Sequence, residues 1–398
     1  MKILQFTTYS LAKLDHGGKI RSHYIKQALK TFSDIETMSF SWEQCDSLSG
    51  FDVNLSSPKY AVQGGHHLLG DIAIDEYLQT TEELYENIGN KIKEYSPTHI
   101  LFEEPFLWPV FLRLEKDGYF SKKIKIIYSA YNIESRLKRK IYSDILPKEK
   151  AESMTSRVLS IETGVAKRAD LILTVSKDDA CFLREVNQSS PVVVVPNGND
   201  RAENYSRLDC WNEKFKVEDG TNWLFVGSWH PPNINGLVSL HHELLESHTK
   251  LNFKIWILGS VANGLEADPR WNNELSDNFK LVGPVSIEDL DGAVSSCDGI
   301  ILPIWEGGGS NLKTSQALIS DKQVIATSFS FRGFEEYDEE EGVLMVDTVN
   351  EFTSALQKTK PSTQTFNRKK CIDALTWDGI LKGLVSDKKI VSFFNEVI

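Results

Sequence analysis

Residues 306–314 read EGGGSNLKT: three glycines between a glutamate and a lysine, shortly after the apolar run Gly299-Ile300-Ile301-Leu302. A glycine run loses much chain entropy on folding, so it belongs where backbone approaches a ligand or turns with positive φ. Gly307, Gly308 and Gly309 would expose backbone N–H groups at the start of a helix spanning residues 311–320, where orphan donors and the helix dipole favour an anion. Ser310 or Asn311 suits the cap of that helix, and Lys313 adds a positive charge in its first turn. These features converge on a phosphate. Glu306 would repel a bare phosphate but accepts strong hydrogen bonds from hydroxyls, so the loop fits a ligand with a polyol beside its phosphate. A sugar phosphate meets that demand, and a sugar nucleotide meets it with a base to spare.

The standard phosphate motifs do not match. Both G-x-x-x-x-G-K-[ST] and G-x-G-x-x-G require a glycine where this chain has Leu312. A second glycine pair, Gly17-Gly18 in HGGKIRSH, also opens a helical pattern with basic residues close behind, and it would let backbone approach a ligand from an opposite wall. No His/Asp/Glu cluster has metal-ligand spacing: His66-His67 and His241-His242 are adjacent pairs, read as surface or loop residues, and no metal or other cofactor is expected. Five widely spaced cysteines without a C-x-x-C suit a reducing cytoplasm.

The elements that must position these residues form two series. β-branched runs at 2–6, 35–40, 99–103, 125–130, 171–176 and 192–196 alternate with helical patterns at 21–30, 81–95, 148–169 and 178–185. A new series then starts at 223–226 and continues at 254–258, 280–282, 299–303, 323–328 and 342–347. Strands alternating with helices indicate parallel sheets covered on both faces, so the expected architecture is α/β with two Rossmann-like domains facing across a cleft. The join falls within 197–222, a polar stretch without a strong periodic element. Ligands of such sheets sit outside the carboxyl ends of the strands, which is where both glycine loops lie.

The 398 residues are enough for two cores, and 41% hydrophobic with 25% charged residues is globular composition. The net charge of −12 argues against nucleic acid as a partner. Arg136, Lys138, Arg139 and Lys140 form a local basic run suited to peripheral contact with anionic headgroups, or to a solvated helix face. The chain is expected to be cytoplasmic, at most resting on the inner face of a membrane.

Taken together, HGGKIRSHYIKQAL, VPNGND at 195–200, FVGSWHPPNINGL at 225–237, LVGP at 281–284 and LPIWEGGGSNLKTSQAL at 302–318 resemble the nucleotide-sugar-dependent glycosyltransferases of the GT-B fold, most of all family 4, also called group 1. The resemblance implies an N-terminal acceptor domain over 1–203, a donor domain over 204–376, and a closing segment 377–398 packing back on the first. It implies a sugar moved from a nucleoside-diphosphate donor to a glycan or lipid-linked acceptor, with retention and without metal, in polysaccharide biosynthesis. Glu306 takes the sugar hydroxyls, Lys313 neutralises the departing diphosphate, and Gly307, Gly308, Gly309, Ser310 and Asn311 meet the sugar and diphosphate. Gly17 and Gly18 close over the diphosphate and acceptor, while Gly283 and Pro284 mark the region that holds the base.

Three positions depart from the family's pattern. The glutamate expected to hold ribose is Gln316, with Thr314 at the simple E-x7-E count. The stretch Gly227–Asn235 lacks the usual Arg and Lys, leaving His230 as its candidate phosphate contact. Tyr131 replaces a common histidine. A non-catalytic sugar-nucleotide-binding or scaffold protein is therefore the alternative reading; a nicotinamide oxidoreductase lacks its G-x-G-x-x-G, and a sugar-nucleotide 2-epimerase shares the general fold.

Overall fold

The computed structural model describes residues 1–14, 17–42, 51–55, 69–120, 124–200, 207–216, 220–247, 250–307, 312–360 and 365–395. The chain divides into two compact units, Met1–Pro196 with Leu381–Ile398, and Asn197–Ile380. Among its described residues the first contains seven strands: β1 (Lys2–Thr7), β2 (Asp34–Ser41), β3 (Val53–Asn54), β4 (His99–Phe102), β5 (Lys125–Ala130), β6 (Leu171–Thr174) and β7 (Val192–Val194). They pair in parallel in the order β3-β2-β1-β4-β5-β6-β7, with Ile3 opposite both Ile35 and His99. Phe6, Phe40, Phe102 and Tyr128 are fully buried within this unit, and Phe6 meets Phe40 and Phe102 edge to face at 5.7 and 5.6 Å.

The second unit contains β8 (Thr221–Val226), β9 (Phe253–Leu258), β10 (Phe279–Gly283), β11 (Gly299–Leu302), β12 (Gln323–Ala326) and β13 (Val343–Met345), all parallel, in the order β10-β9-β8-β11-β12-β13. Side chains alternate between two cores. Trp223, Ile255, Ile301 and Ile325 join one, while Leu224, Leu258, Ile300 and Val324 join the other. Burial on both faces is why these strands read as continuous apolar runs.

Some segments differ from the reading of the sequence. Within the supposedly aperiodic 197–222 stretch lies a helix, Leu208–Phe215, that buries Trp211 and Phe215 against Trp256; eight residues with two inward aromatics are too short to show a period. His241 is not a surface residue. It is fully buried within the helix Pro231–Glu246, its ring centroid 4.3 Å from that of Trp271, and burial pushes its pKa down to about 4. His66 and His67 lie outside the described residues.

After the helix Trp377–Ser386, which straddles the second boundary between the units, a last helix, Lys388–Asn395, belongs to the first unit. There Phe394 stacks on Phe32 at 4.6 Å and Phe393 meets His99 edge to face at 5.6 Å. Among the described residues, no helix is long and apolar enough to cross a membrane. The basic run is not a uniform patch. Arg136, Arg139 and Lys140 are exposed, but Lys138 is buried and bonded to Asp71 at 2.8 Å, so it presents no charge to a headgroup.

Candidate functional site

In the second unit, the backbone after β11 is fixed step by step before it reaches Glu306. The Pro303 carbonyl lies against Gly236 of the helix Pro231–Glu246, so close that a Cβ at 236 would stand 1.9 Å from it. The Ile304 carbonyl accepts from the buried Thr327 hydroxyl, and the Trp305 indole donates to the Asp347 carbonyl at 2.6 Å. The Glu306 carboxylate then accepts from Asn235 Nδ2 at 2.6 Å. Gly307 follows at φ +136°, facing Pro232 in the first turn of the same helix. Gly308, Gly309, Ser310 and Asn311 lie outside the described residues.

The helix after the loop, Leu312–Ile319, buries Thr314, Ser315, Ala317, Leu318 and Ile319. Thr314 donates to the Ser330 carbonyl, so this position of the E-x7-E count belongs to the interior. Lys313 and Gln316, three residues apart, share the partly exposed side of the helix. Among the described residues, neither side chain has a hydrogen-bonding or ionic partner. Desolvation pushes the Lys313 ammonium down to about 8. A cation in that state, in the first turn of a helix and close behind a glycine loop, is poised for an anion.

The first turn of this helix is also held from a distance. Asn199, in the VPNGND segment, donates to the Leu312 carbonyl and, at 2.8 Å, to Ser315 Oγ.

Alongside lie three strand ends stripped of side chains. The Gly227 N–H donates to the Leu258 carbonyl at 3.0 Å, and the Gly259 N–H to the Gly283 carbonyl at 2.8 Å. Gly259 and Gly283 have φ of +96° and +85°, and a Cβ on Gly259 would lie 2.2 Å from the Gly227 carbonyl, so position 259 requires glycine. Pro284 is exposed just beyond β10. His230 is exposed at the cap position of the helix Pro231–Glu246, and Trp229 beside it is 60% exposed while lying over Gly264.

In the first unit, Gly17 and Gly18 begin the helix Gly17–Leu29 and are partly exposed. The cations behind them turn inward: Lys19 is buried, and Arg21 donates to the Val195 carbonyl at 2.8 Å, just past β7. Burial lowers the Arg21 pKa to about 10.

The ends of β1, β4 and β5 also gather a polar cluster around Tyr131, whose acidic member Glu104 the sequence reading missed. Glu104 is hydrogen-bonded to Thr8 and, at 2.5 Å, to the Tyr131 hydroxyl. Desolvation, then repulsion from Asp71 and Glu134, raises its carboxyl to about 8. Glu134, raised to about 7 chiefly by burial, accepts from Asn132 at 3.2 Å. The signal for this cluster was the acidic pair Glu103-Glu104 at the end of an apolar strand, where polar residues have functional reasons to be. Among the described residues, no group of three or more His, Cys, Asp or Glu is placed to hold a metal ion.

Comparison with known proteins agrees with this arrangement. Residues 220–359 match the sequence model of the family described as Glycosyl transferases group 1. No curated protein sequence matches the chain significantly. Among solved structures it is similar in fold to sucrose-phosphate synthase from Thermosynechococcus elongatus, with 15% identity, TM-score 0.68, and coverage of 100% of this chain and 99% of that one. The lipopolysaccharide outer core galactosyltransferase WaaB shares 12% identity at TM-score 0.62 over 100% of both chains. HepE of Anabaena, in complex with UDP, shares 14% identity at TM-score 0.55 over 100% of this chain and 98% of that one. The two parallel-sheet units have the GT-B fold, and residues 220–359, the part of the second unit that carries Glu306 and Lys313, match the Glycosyl transferases group 1 family.

Proposed function

We propose that the chain moves a sugar from a nucleoside-diphosphate sugar to a hydroxyl of a glycan or lipid-linked acceptor, with retention and without a metal. The observation that carries this reading is Lys313: a desolvated cation without a partner among the described residues, in the first turn of the helix that follows Glu306 and Gly307. When the bond between the sugar and the diphosphate breaks, negative charge collects on the leaving oxygen. Lys313, the loop amides and the dipole of the helix Leu312–Ile319 meet it, and preorganised donors of this kind are worth on the order of 2.7–4 kcal/mol each in a transition state. Glu306, oriented by Asn235, accepts from the sugar hydroxyls. Gln316 on the face of Lys313 takes the ribose, and the glycine-lined ends of β8, β9 and β10, with Pro284, leave room for the base. His230, exposed at the cap of the helix Pro231–Glu246, is the candidate phosphate contact of this stretch.

HepE is known in complex with UDP and with UDP-glucose, which makes these the first donors to try. The first unit takes the acceptor. Its exposed Arg136, Arg139 and Lys140 suit a cytoplasmic protein that rests on an anionic membrane face.

A second reading, nucleotide-sugar binding without turnover, is favoured by Gln316 and by the absence of Arg or Lys in Gly227–Asn235. A thermal-shift screen with UDP, GDP, ADP, CMP and NAD on wild type and Lys313→Ala tests the site. A rise with one nucleoside diphosphate that vanishes in the variant supports the proposal, because ligand at about 100 times Kd adds roughly 2.7 kcal/mol. A rise with NAD alone refutes it. Binding of the matching sugar nucleotide without release of diphosphate in the presence of lipid-linked and glycan acceptors decides for the second reading.

A further inference from the structure

The stretch from Gly227 to Asn235 contains no Arg or Lys, yet a guanidinium reaches its last residue from elsewhere in the unit. Arg270 Nη2 donates to Asn235 Oδ1 at 2.9 Å, and the other end of the same amide donates from Nδ2 to Glu306 Oε1 at 2.6 Å. Asp268 holds the guanidinium from behind, accepting from Arg270 Nε at 2.9 Å and from Nη2 at 2.6 Å, and it also accepts the Arg270 backbone N–H at 2.9 Å. The loop itself is tied down by the Arg270 carbonyl, which accepts from His242 Nε2 at 2.8 Å. Asn235 and His242 stand seven residues apart, two turns along one face of the helix Pro231–Glu246, so one rigid element fixes both ends of the connection.

The chemistry allows one orientation of the Asn235 amide. Turned over, it would set its NH2 against the guanidinium and its carbonyl against the carboxylate, two repulsive contacts in place of two charge-assisted hydrogen bonds. The Arg270 charge is already met by the Asp268 fork, so its effect at Glu306 runs through the amide and not as a direct counter-ion.

We propose that Asp268, Arg270 and Asn235 form a positioning relay that aims the Glu306 carboxylate at the hydroxyls of the donor sugar. The relay rests on the role given to Glu306 above and extends it to residues distant in sequence. Arg270 is a positioning residue: it touches the amide, and the amide touches the carboxylate. Its loss therefore weakens recognition of the sugar and leaves the grip on the diphosphate unchanged, whereas a cation that held phosphate would weaken both.

The test is calorimetric titration with UDP, GDP and ADP, and with their glucose, galactose, mannose and N-acetylglucosamine conjugates. The proteins are wild type, Arg270→Ala, Asn235→Leu, Glu306→Gln and the Arg270→Ala/Glu306→Gln double variant. The quantity read is the ratio of diphosphate Kd to sugar-nucleotide Kd for the best-bound pair. Half of the Arg270 side chain is exposed, so its truncation leaves the fold intact, and Asn235→Leu cuts the relay independently. Arg270→Ala and Asn235→Leu are each expected to lower the ratio about tenfold, the size of one hydrogen bond to a charged group losing its alignment. Diphosphate Kd stays within about twofold, and Arg270→Ala adds nothing further in the Glu306→Gln background.

Equal loss for diphosphate and sugar nucleotide, or additive losses in the double variant, overturns the relay while the donor site stands. A wild type that binds a diphosphate but gains nothing from any sugar removes the role of Glu306 and the relay with it. A wild type that binds no diphosphate overturns the donor site itself.

Discussion

Replacing Lys313 by Met keeps the length of the side chain and removes its charge. In the folded protein desolvation lowers the ammonium from its ordinary 10.5 to about 8, and no described partner offsets the cost. A depression of that size corresponds to about 3 kcal/mol against the charged form, and partial exposure of the side chain brings the figure to about 2–3 kcal/mol. Lys313→Met should therefore stabilise the second unit by about 2–3 kcal/mol at pH 7, or roughly 5–10 °C in its unfolding midpoint. The gain has a defined pH window. Below about pH 8 both states of wild type hold the proton and the gain is full; between about 8 and 10.5 the unfolded chain still holds it while the folded chain has released it. Wild-type stability rises across that interval, the variant's does not, and the advantage closes by about pH 10.5. Differential scanning calorimetry of both proteins from pH 6 to 10.5 measures this directly. A variant no more stable than wild type at pH 7 refutes the desolvation argument, and a gain that persists unchanged at pH 10.5 assigns the effect to packing. A nucleoside diphosphate should reverse the order, stabilising wild type and leaving Lys313→Met unmoved.

The first unit offers the opposite sign. Glu104 keeps its proton up to about pH 8 when folded but loses it near 4.5 when unfolded, so wild-type stability should fall as pH rises through that interval. Glu104→Gln should remove about 2–4 kcal/mol of that loss, and parallel stability–pH curves for variant and wild type would refute it. His241 resists protonation down to about pH 4, so the second unit should lose about 2–3 kcal/mol as pH falls from 6.5 to 4. His241→Phe, retaining an aromatic ring beside Trp271, should flatten that loss in acid-unfolding curves.

Much of this architecture is legible in the residues because the inner strands β8, β11 and β12 of the second unit are buried on both faces and read as apolar runs. The loop EGGGSNLKT is legible for a different reason: its residue types conflict with any role in a core, so they point outward to a ligand. What sequence does not display is pairing across distance. Asn235 and Glu306 are 71 positions apart, Asn235 and Arg270 35, and Asn199 and Leu312 113; no local pattern marks these residues as neighbours. Local patterns also mislead. The simple count from Glu306 lands on Thr314, which the helix turns into the core, while Lys313 and Gln316 share its open side. His241 looks like half of a polar pair, yet one step along a helix separates a buried position from an exposed one.

The return of the chain to its first unit also sets an order of synthesis. The second unit is one continuous stretch, Asn197–Ile380, whereas the first is assembled from residues on both sides of it. On the ribosome, therefore, β1 to β7 emerge first but must wait for Phe393 and Phe394, which pack on His99 and Phe32, until the whole of the second unit has been made. Through that interval the apolar surface of Phe32 lacks its native cover. The half made first is the half completed last, and exposure to misassembly and to chaperones falls on the first unit.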